Sequence, residues 1–217
     1  VIPLVLVAAS GLAREVAAMV GLVPEHHVVA YVDDDPALAG TEIDGVPVVG
    51  GIDALADTHL EADVLICAGR GRSRQAIVDR LTRLGVSPDR YATVVHPTAS
   101  VPQGCTLGAG TILLAQVVLT AQVTIGRHVV AMPQVTLTHD DVVGDFATLC
   151  AGVSLGGSVD VGERAYLGMN ASVRENLTVG RDSTLGMGSA LTRHLPDEQI
   201  WAGIPARPIS SKSQERT

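Results

Sequence analysis

From Val95 to Leu191 every sixth position of the chain is small or aliphatic. The series runs Val95, Val101, Leu107, Leu113, Leu119, Ile125, Ala131, Leu137, Val143, Leu149, Leu155, Val161, Leu167, Val173, Val179, Leu185 and Leu191, and sixteen of its seventeen members are Val, Leu or Ile. No insertion breaks the register. A chain with this period turns a corner every six residues and points one aliphatic side chain inward from each side. Three sides close a coil of about eighteen residues, and coils stacked at the strand spacing of roughly 4.8 Å make a prism about 25 Å tall. The residue after the aliphatic one is often Gly (Gly108, Gly126, Gly144, Gly156, Gly162, Gly168, Gly180, Gly186). We read these glycines as corner residues with dihedrals that other residues avoid. Such a prism has room only for slim inward side chains, in keeping with an aromatic content of 2%.

Residues 1–92 have a different pattern. Short aliphatic runs alternate with helical stretches, the signature of a parallel α/β unit. Strands are expected near Leu4–Ala8, Val28–Val32, Val46–Val49 and Val64–Ala68, and helices over Leu12–Val20, Ile52–Ala56 and Ser73–Leu84. The chain therefore divides into an α/β domain (1–92), a β-helix (93–209) and a polar tail (210–217). The turn Ala8-Ala9-Ser10-Gly11 opens a helix whose N-terminus can receive a phosphate. Asp33, Asp34 and Asp35 follow the second strand, where such folds contact a ribose or base. The glycine fingerprint of a dinucleotide site is incomplete.

Charge narrows the partners. Fifteen Lys and Arg against 23 Asp and Glu give a net charge of -8, and only Arg70, Arg72 and Arg74 cluster, which argues against a nucleic-acid partner. The apolar run Val1–Ala9 is short and lacks a basic lead, so it reads as a buried strand rather than a targeting or membrane segment. Three cysteines, Cys67, Cys105 and Cys150, form no Cys-x-x-Cys pair and point to a reducing, cytoplasmic setting.

The repeat breaks at Thr138-His139-Asp140-Asp141. Asp141 is the one charged residue at the fifth hexad position between Val95 and Ser189. His139 follows inward-facing Leu137 by two residues and so projects from a corner. Its neighbours one coil away are Ala121 and Gly157, both small. Imidazole changes charge near neutral pH and can take a proton from an attacking amine or hydroxyl. Asp140 can orient the ring, and the Gly157 N–H can face a thioester oxygen. Of the other six histidines, His26, His27, His59, His128 and His194 read as solvated surface. Of the other two corner columns, Ala109, Arg127, Asp145, Glu163 and Arg181 is mostly charged. Pro97, Ala115, Pro133, Ala151, Met169 and Met187 is apolar and suits either a pantetheine arm or a neighbouring subunit.

On these residues the repeat resembles the left-handed β-helix of hexapeptide acyltransferases. Together with the α/β domain it is similar to the bacterial sugar acyltransferases, which include the N-acetyltransferases of UDP-4-amino sugars and GDP-perosamine and the sialic acid O-acetyltransferases. The likeness runs from the first strand to the motif Trp201-Ala-Gly-Ile-Pro-Ala-Arg207 and is most specific over Thr138–Phe146. It implies an acetyl-CoA-dependent acetyltransferase with His139 as general base, Asp140 as its partner and no metal. It further implies acetyl-CoA held by Gly157, Met169, Asn170, Met187 and the turn Ala202, Gly203, Ile204 and Pro205, in a homotrimer with the donor in a groove between subunits.

Two positions depart from the family pattern. Leu12 stands where a Gly-rich turn carries a histidine, and Thr148 stands where several relatives have a second histidine. The acceptor half of the site is altered, and its expected residues are Ser10, Gly11, Asp33, Asp34 and Thr148. The leading expectation is acetylation of the amine of a nucleotide-linked amino sugar. The alternatives are O-acetylation of a sugar or sialic acid hydroxyl and a non-catalytic nucleotide-sugar-binding scaffold. A metal hydrase on the same β-helix needs three converging histidines, and the eleven-residue separation of His128 and His139 does not supply them.

Overall fold

The computed structural model describes residues 1–56 and 61–209; the expected 210–217 tail and His59 lie outside them. The N-terminal domain runs β1 (Ile2–Val7), α1 (Gly11–Val20), β2 (His26–Val32), β3 (Glu42–Ile43), β4 (Val46–Pro47), a 3-10 turn (Ile52–Ala56), β5 (Asp63–Ile66) and α2 (Gly71–Arg83). Its parallel sheet has the order β2-β1-β5. The central strand β1 is buried on both faces, as its unbroken aliphatic run requires. Leu4 and Leu6 pack toward α1 and the β-helix, whereas Val5 and Val7 pack with Ile52, Leu55 and Leu81 on the other side. The strand expected over Val46–Val49 is instead one arm of a two-residue hairpin, joined to β2 only by a bridge between Val48 and Tyr31. Pro47 has no N–H to extend the ladder.

From Val94 the chain winds into a three-sided parallel β-helix whose sheets have eight, five and five strands. Partners are consecutive coils, as in Thr124↔Val142, Thr136↔Val118 and Thr148↔Tyr166. From Leu113 to Leu191 the aliphatic series lines one continuous core, packed at its open end by Val95, Val101 and Leu107. Each buried Val or Leu contributes about 1.5–3 kcal/mol. The core is thus distributed over many slim side chains instead of a few aromatic anchors.

The glycines serve a purpose other than the one expected. Positive φ recurs every six residues from Gly104 to Gly188, but mostly at Gln116, His128, Gln134, Asp140, Phe146, Arg164 and Asn170, three positions after the aliphatic residue. The glycines that follow the aliphatic residue lie outside that region. A Cβ at Gly144, Gly162 or Gly168 would stand 2.8, 2.5 and 2.6 Å from the backbone nitrogen of Glu163, Arg181 and Met187 in the next coil. Close coil-to-coil approach, not unusual dihedrals, demands glycine there.

The two domains are joined by shared packing and one buried cation. Leu4, Leu6 and Met19 share a cluster with Ile112, Leu114 and Val130 on the wide β-helix face. Arg74, fully buried, donates to the Ala68 and Gly69 carbonyls of its own domain at 2.9 and 3.1 Å. Across the interface it donates to His128 O (2.8 Å), Phe146 O (2.7 Å), Ala147 O (2.9 Å) and Thr148 Oγ1 (3.0 Å). Burial lowers its pKa to about 10, so it stays charged at neutral pH. Gly71 permits this contact, because a Cβ there would run into the Phe146 carbonyl.

Candidate active site

Two corners of the prism carry the expected residues. His139 lies where the face of Thr136–Leu137 meets that of Val142–Val143, and Met169 lies where the face of Tyr166–Leu167 meets that of Ser172–Val173. The face holding Thr136–Leu137, Ser154–Leu155 and Ser172–Val173 separates the two corners, so one chain does not bring the two groups together.

At the first corner His139 Nδ1 lies 2.8 Å from Asp140 Oδ2, with side chains 65% and 60% exposed. In the open this pair contributes little to stability. Its effect is chemical: a carboxylate on Nδ1 favours the tautomer with the proton there and leaves the Nε2 lone pair free. The Nε2 edge lies over Gly157, where a Cβ would strike Nε2 and Cε1. The Gly157 N–H meets no acceptor among the described residues. The coils are held in step by Ser158 N donating to His139 O (2.9 Å) and Thr138 Oγ1 donating to Leu155 O (3.1 Å).

At the second corner Met169 (48% exposed) and Met187 (70% exposed) lie one above the other, linked by Gly188 N donating to Met169 O at 2.8 Å. Asn170 sits beside them, its side chain filling the space over Gly152. The turn Ala202–Pro205 crosses the end of this edge. Gly203 N donates to Ser189 Oγ at 3.0 Å, and Ala206, fully buried, plugs the end of the core. The edge continues below Met169 into an open groove of about 550 Å³ between Ala115, Pro133 and Ala151 on the β-helix and Ala18 and Met19 of α1 with Leu22 just beyond it. Its lining suits an apolar arm with polar ends.

The expected acceptor residues are less available. Ser10 caps α1, its hydroxyl accepting from Ala13 N (3.2 Å) and donating to Cys67 O (2.7 Å), while Gly11 is exposed beside it. Asp33 accepts from Ala9 N (2.7 Å) and Asp35 N (2.8 Å). Asp34 accepts from Ile52 N (3.1 Å) and pairs with Arg80 (2.5 Å), and the Arg80 hydrogen bond holds its carboxyl below the usual range. Thr148 is buried between Arg74 and Gly69 O, so it belongs to the domain interface. By contrast α2 opens without a side-chain cap. Arg70, Arg72, Ser73, Arg164, Tyr166 and Thr184 surround a cleft of about 290 Å³ at its first turn. Arg70 there stacks 4.3 Å above the Tyr166 ring. Arg74 and this cleft were visible in the sequence only as a short basic run.

His128, expected on a solvated corner, is buried. It stacks on Phe146 (5.2 Å between centroids) and meets the edge of Tyr91 (4.7 Å), and burial pushes its pKa down to about 4. His26 is likewise half-buried, 2.9 Å from Asp63. Among the described residues no group of three His, Cys, Asp or Glu side chains has metal-holding geometry, and no helix is long and apolar enough to cross a membrane.

Comparison with known proteins agrees with this geometry. Residues 3–81 match the family model described as the PglD N-terminal domain. No curated protein sequence matches the chain. Among solved structures, PerB from Caulobacter crescentus, in complex with CoA and GDP-perosamine, is 31% identical, covering 95% of this chain and 97% of that one, with a TM-score of 0.86. The acetyltransferase domain of PglB from Neisseria gonorrhoeae FA1090, in complex with acetyl coenzyme A, is 27% identical, covering 95% and 98%, with a TM-score of 0.87. WeeI from Acinetobacter baumannii AYE is 25% identical, covering 96% and 100%, with a TM-score of 0.85. With the sequence likeness to PerB extending over almost the whole of both proteins, the chain belongs to the β-helical sugar N-acetyltransferase family.

Proposed function

We propose that this protein moves the acetyl group of acetyl-CoA onto the amine of a nucleotide-linked amino sugar, with His139 as general base. The observation that carries the reading is the imidazole held by Asp140 with its free Nε2 over the Gly157 amide. Acetyl-CoA supplies an activated thioester. His139 Nε2 accepts the proton that the amine loses as its nitrogen bonds to the acetyl carbon, and then returns that proton to the departing sulfur. The Gly157 N–H donates to the carbonyl oxygen as negative charge gathers there. Asp140 keeps Nε2 aimed and stabilises the imidazolium formed in between.

Met169, Asn170, Met187 and the Ala202–Pro205 turn fit the donor, because they form one exposed, largely apolar edge that ends in a backbone turn. That edge and His139 occupy different corners of a single chain. The complete site therefore lies between subunits, the His139 corner of one copy facing the Met corner of the next in a homotrimer. Two similar proteins support the substrates: PerB holds CoA with GDP-perosamine, and the PglB domain holds acetyl coenzyme A. For the acceptor, the loops after β1, β2 and β5 bring Gly11, Asp33 and the uncapped first turn of α2 to one end of the sheet, where nucleotides bind in parallel α/β folds. Free thiols at Cys67, Cys105 and Cys150 suit a cytoplasmic enzyme.

Titration calorimetry and acceptor kinetics test the proposal. Acetyl-CoA binds, and a nucleotide-linked 4-amino sugar is turned over with a lower KM than the free sugar. Absence of acetyl-CoA binding at saturating concentrations would overturn the reading.

A further inference from the structure

Asp141 occupies a wall position that valine fills one coil below and one coil above, at Val123 and Val159. It is fully buried, and burial pushes its pKa up to about 6. A carboxylate here is costlier than the valine of its neighbours, so its hydrogen bonds define what it contributes. Oδ2 accepts from Thr138 N at 2.7 Å and Oδ1 accepts from Val159 N at 2.9 Å. Thr138 immediately precedes His139, and Val159 follows Gly157 by two residues. One side chain thus clamps the corner bearing the base to the coil bearing the amide donor. Both of its oxygens are occupied and neither faces solvent, so it has no path to the substrate.

We infer that Asp141 is a positioning residue for acetyl transfer, its carboxylate fixing the Thr138–His139 corner against the Gly157–Val159 segment so that Nε2 and the Gly157 N–H converge on the same group. The inference rests on the reading of His139 as the base. A misplacement of about 1 Å in such a pair costs on the order of 10²-fold in rate, although the structure around it survives. The groups that face Asp141 electrostatically are His139, which favours its ionised form, and Asp140, which opposes it.

Two variants remove the clamp in different ways. Asp141→Asn keeps the shape but presents an amide donor to one of the two N–H groups. Asp141→Val restores the side chain of the neighbouring coils and preserves packing. Both are expected to lower kcat by roughly 10-fold to 100-fold with acetyl-CoA affinity close to that of the unmodified protein; Asp141→Asn keeps an acceptor for one N–H and shifts the thermal midpoint less than Asp141→Val, which leaves both Thr138 N and Val159 N without one. In a His139→Ala background the same substitutions are expected to leave the residual turnover unchanged, because a residue that acts through His139 has nothing left to position. Wild-type kcat in both single variants would overturn the inference, as would an equal loss with and without His139. Normal turnover in His139→Ala alone would instead overturn the assignment of the base, which separates the two failures.

Discussion

Gly157→Ala separates catalysis from folding. Gly157 lies outside the left-handed region, and the three atoms nearest to the new methyl all belong to the imidazole of His139. That ring is the exposed end of a two-torsion side chain, so it turns away at a cost of roughly 0.5–1.5 kcal/mol. Replacing glycine returns about 0.4–1 kcal/mol through the unfolded chain. The net change is within about 1 kcal/mol, a shift of about 2–4 °C in Tm for a chain of this size. Turnover is another matter, because moving Nε2 by about an ångström costs on the order of 10²-fold. Gly162→Ala is the contrasting substitution: its methyl would stand 2.5 Å from Arg181 N, on rigid backbone of the next coil. Forcing coils apart there costs about 1–3 kcal/mol or more, far from the base. Thiol release from acetyl-CoA with an acceptor present, measured beside thermal unfolding, reads both effects. Gly157→Ala with wild-type kcat, or melting as low as Gly162→Ala, would refute the placement of the imidazole over the amide.

Three further outcomes are expected. Arg74→Met leaves the Phe146, His128 and Ala68 carbonyls without a donor in a dry interface, whereas Ala147 O keeps its bond from Val130 N; at roughly 1–3 kcal/mol per unpaired group urea unfolding should show a loss of at least about 3 kcal/mol, and a loss below about 1 kcal/mol would contradict the interface described. Between pH 4 and 6.5 two buried groups oppose each other. Asp141, raised to about 6 from an ordinary 3.8, makes the folded state the better proton binder and so adds stability as pH falls from about 6 to 4. His128, lowered to about 4 from 6.5, makes the folded state the poorer binder and removes stability as pH falls from 6.5 to 4. Thermal midpoints should accordingly fall more steeply with acid in Asp141→Asn than in the unmodified protein and less steeply in His128→Gln; identical slopes in all three would contradict the burial of both groups. The proposed homotrimer predicts that Met187→Glu lowers the oligomeric state and abolishes transfer, as sedimentation and activity would show together; an unmodified protein that sediments as a monomer at micromolar concentration would remove the intersubunit site.

The β-helix was legible because its period repeats through every coil, so local ambiguities average out. The purpose of its glycines was not, because Gly162 and Arg181 meet only when coils stack, and a linear reading assigns glycine to dihedral freedom first. That His139 and Gly157 would be neighbours was legible for the same reason as the fold: coil spacing turns sequence separation into spatial adjacency. The domain interface has no such period. Arg74 and Thr148 are 74 residues apart and meet through docking of α2 on the wide β-helix face, so Thr148 read as a site residue and Arg74 only as part of a short basic run. His128 was misread on the same ground, since Tyr91 and Phe146 cover a corner that the repeat alone leaves open. Ser10 and Asp33 show a subtler limit. Their residue types suit a ligand and equally suit the bonds they make within the chain, the helix cap at Ser10 and the backbone bonds from Ala9 N and Asp35 N at Asp33.

Transfer to a nucleotide-linked amine by base catalysis at His139 can be followed from both its products. The most direct measurement incubates the unmodified protein and His139→Ala with acetyl-CoA and a nucleotide-linked 4-amino sugar, following thiol release and the mass of the sugar product. The expected result is an N-acetylated nucleotide sugar, a turnover lower by roughly 10²-fold to 10⁴-fold in His139→Ala, and acetyl-CoA affinity alike in both. Equal turnover by the two proteins, or no acetylated product from GDP-, UDP- or dTDP-linked amino sugars, would contradict it.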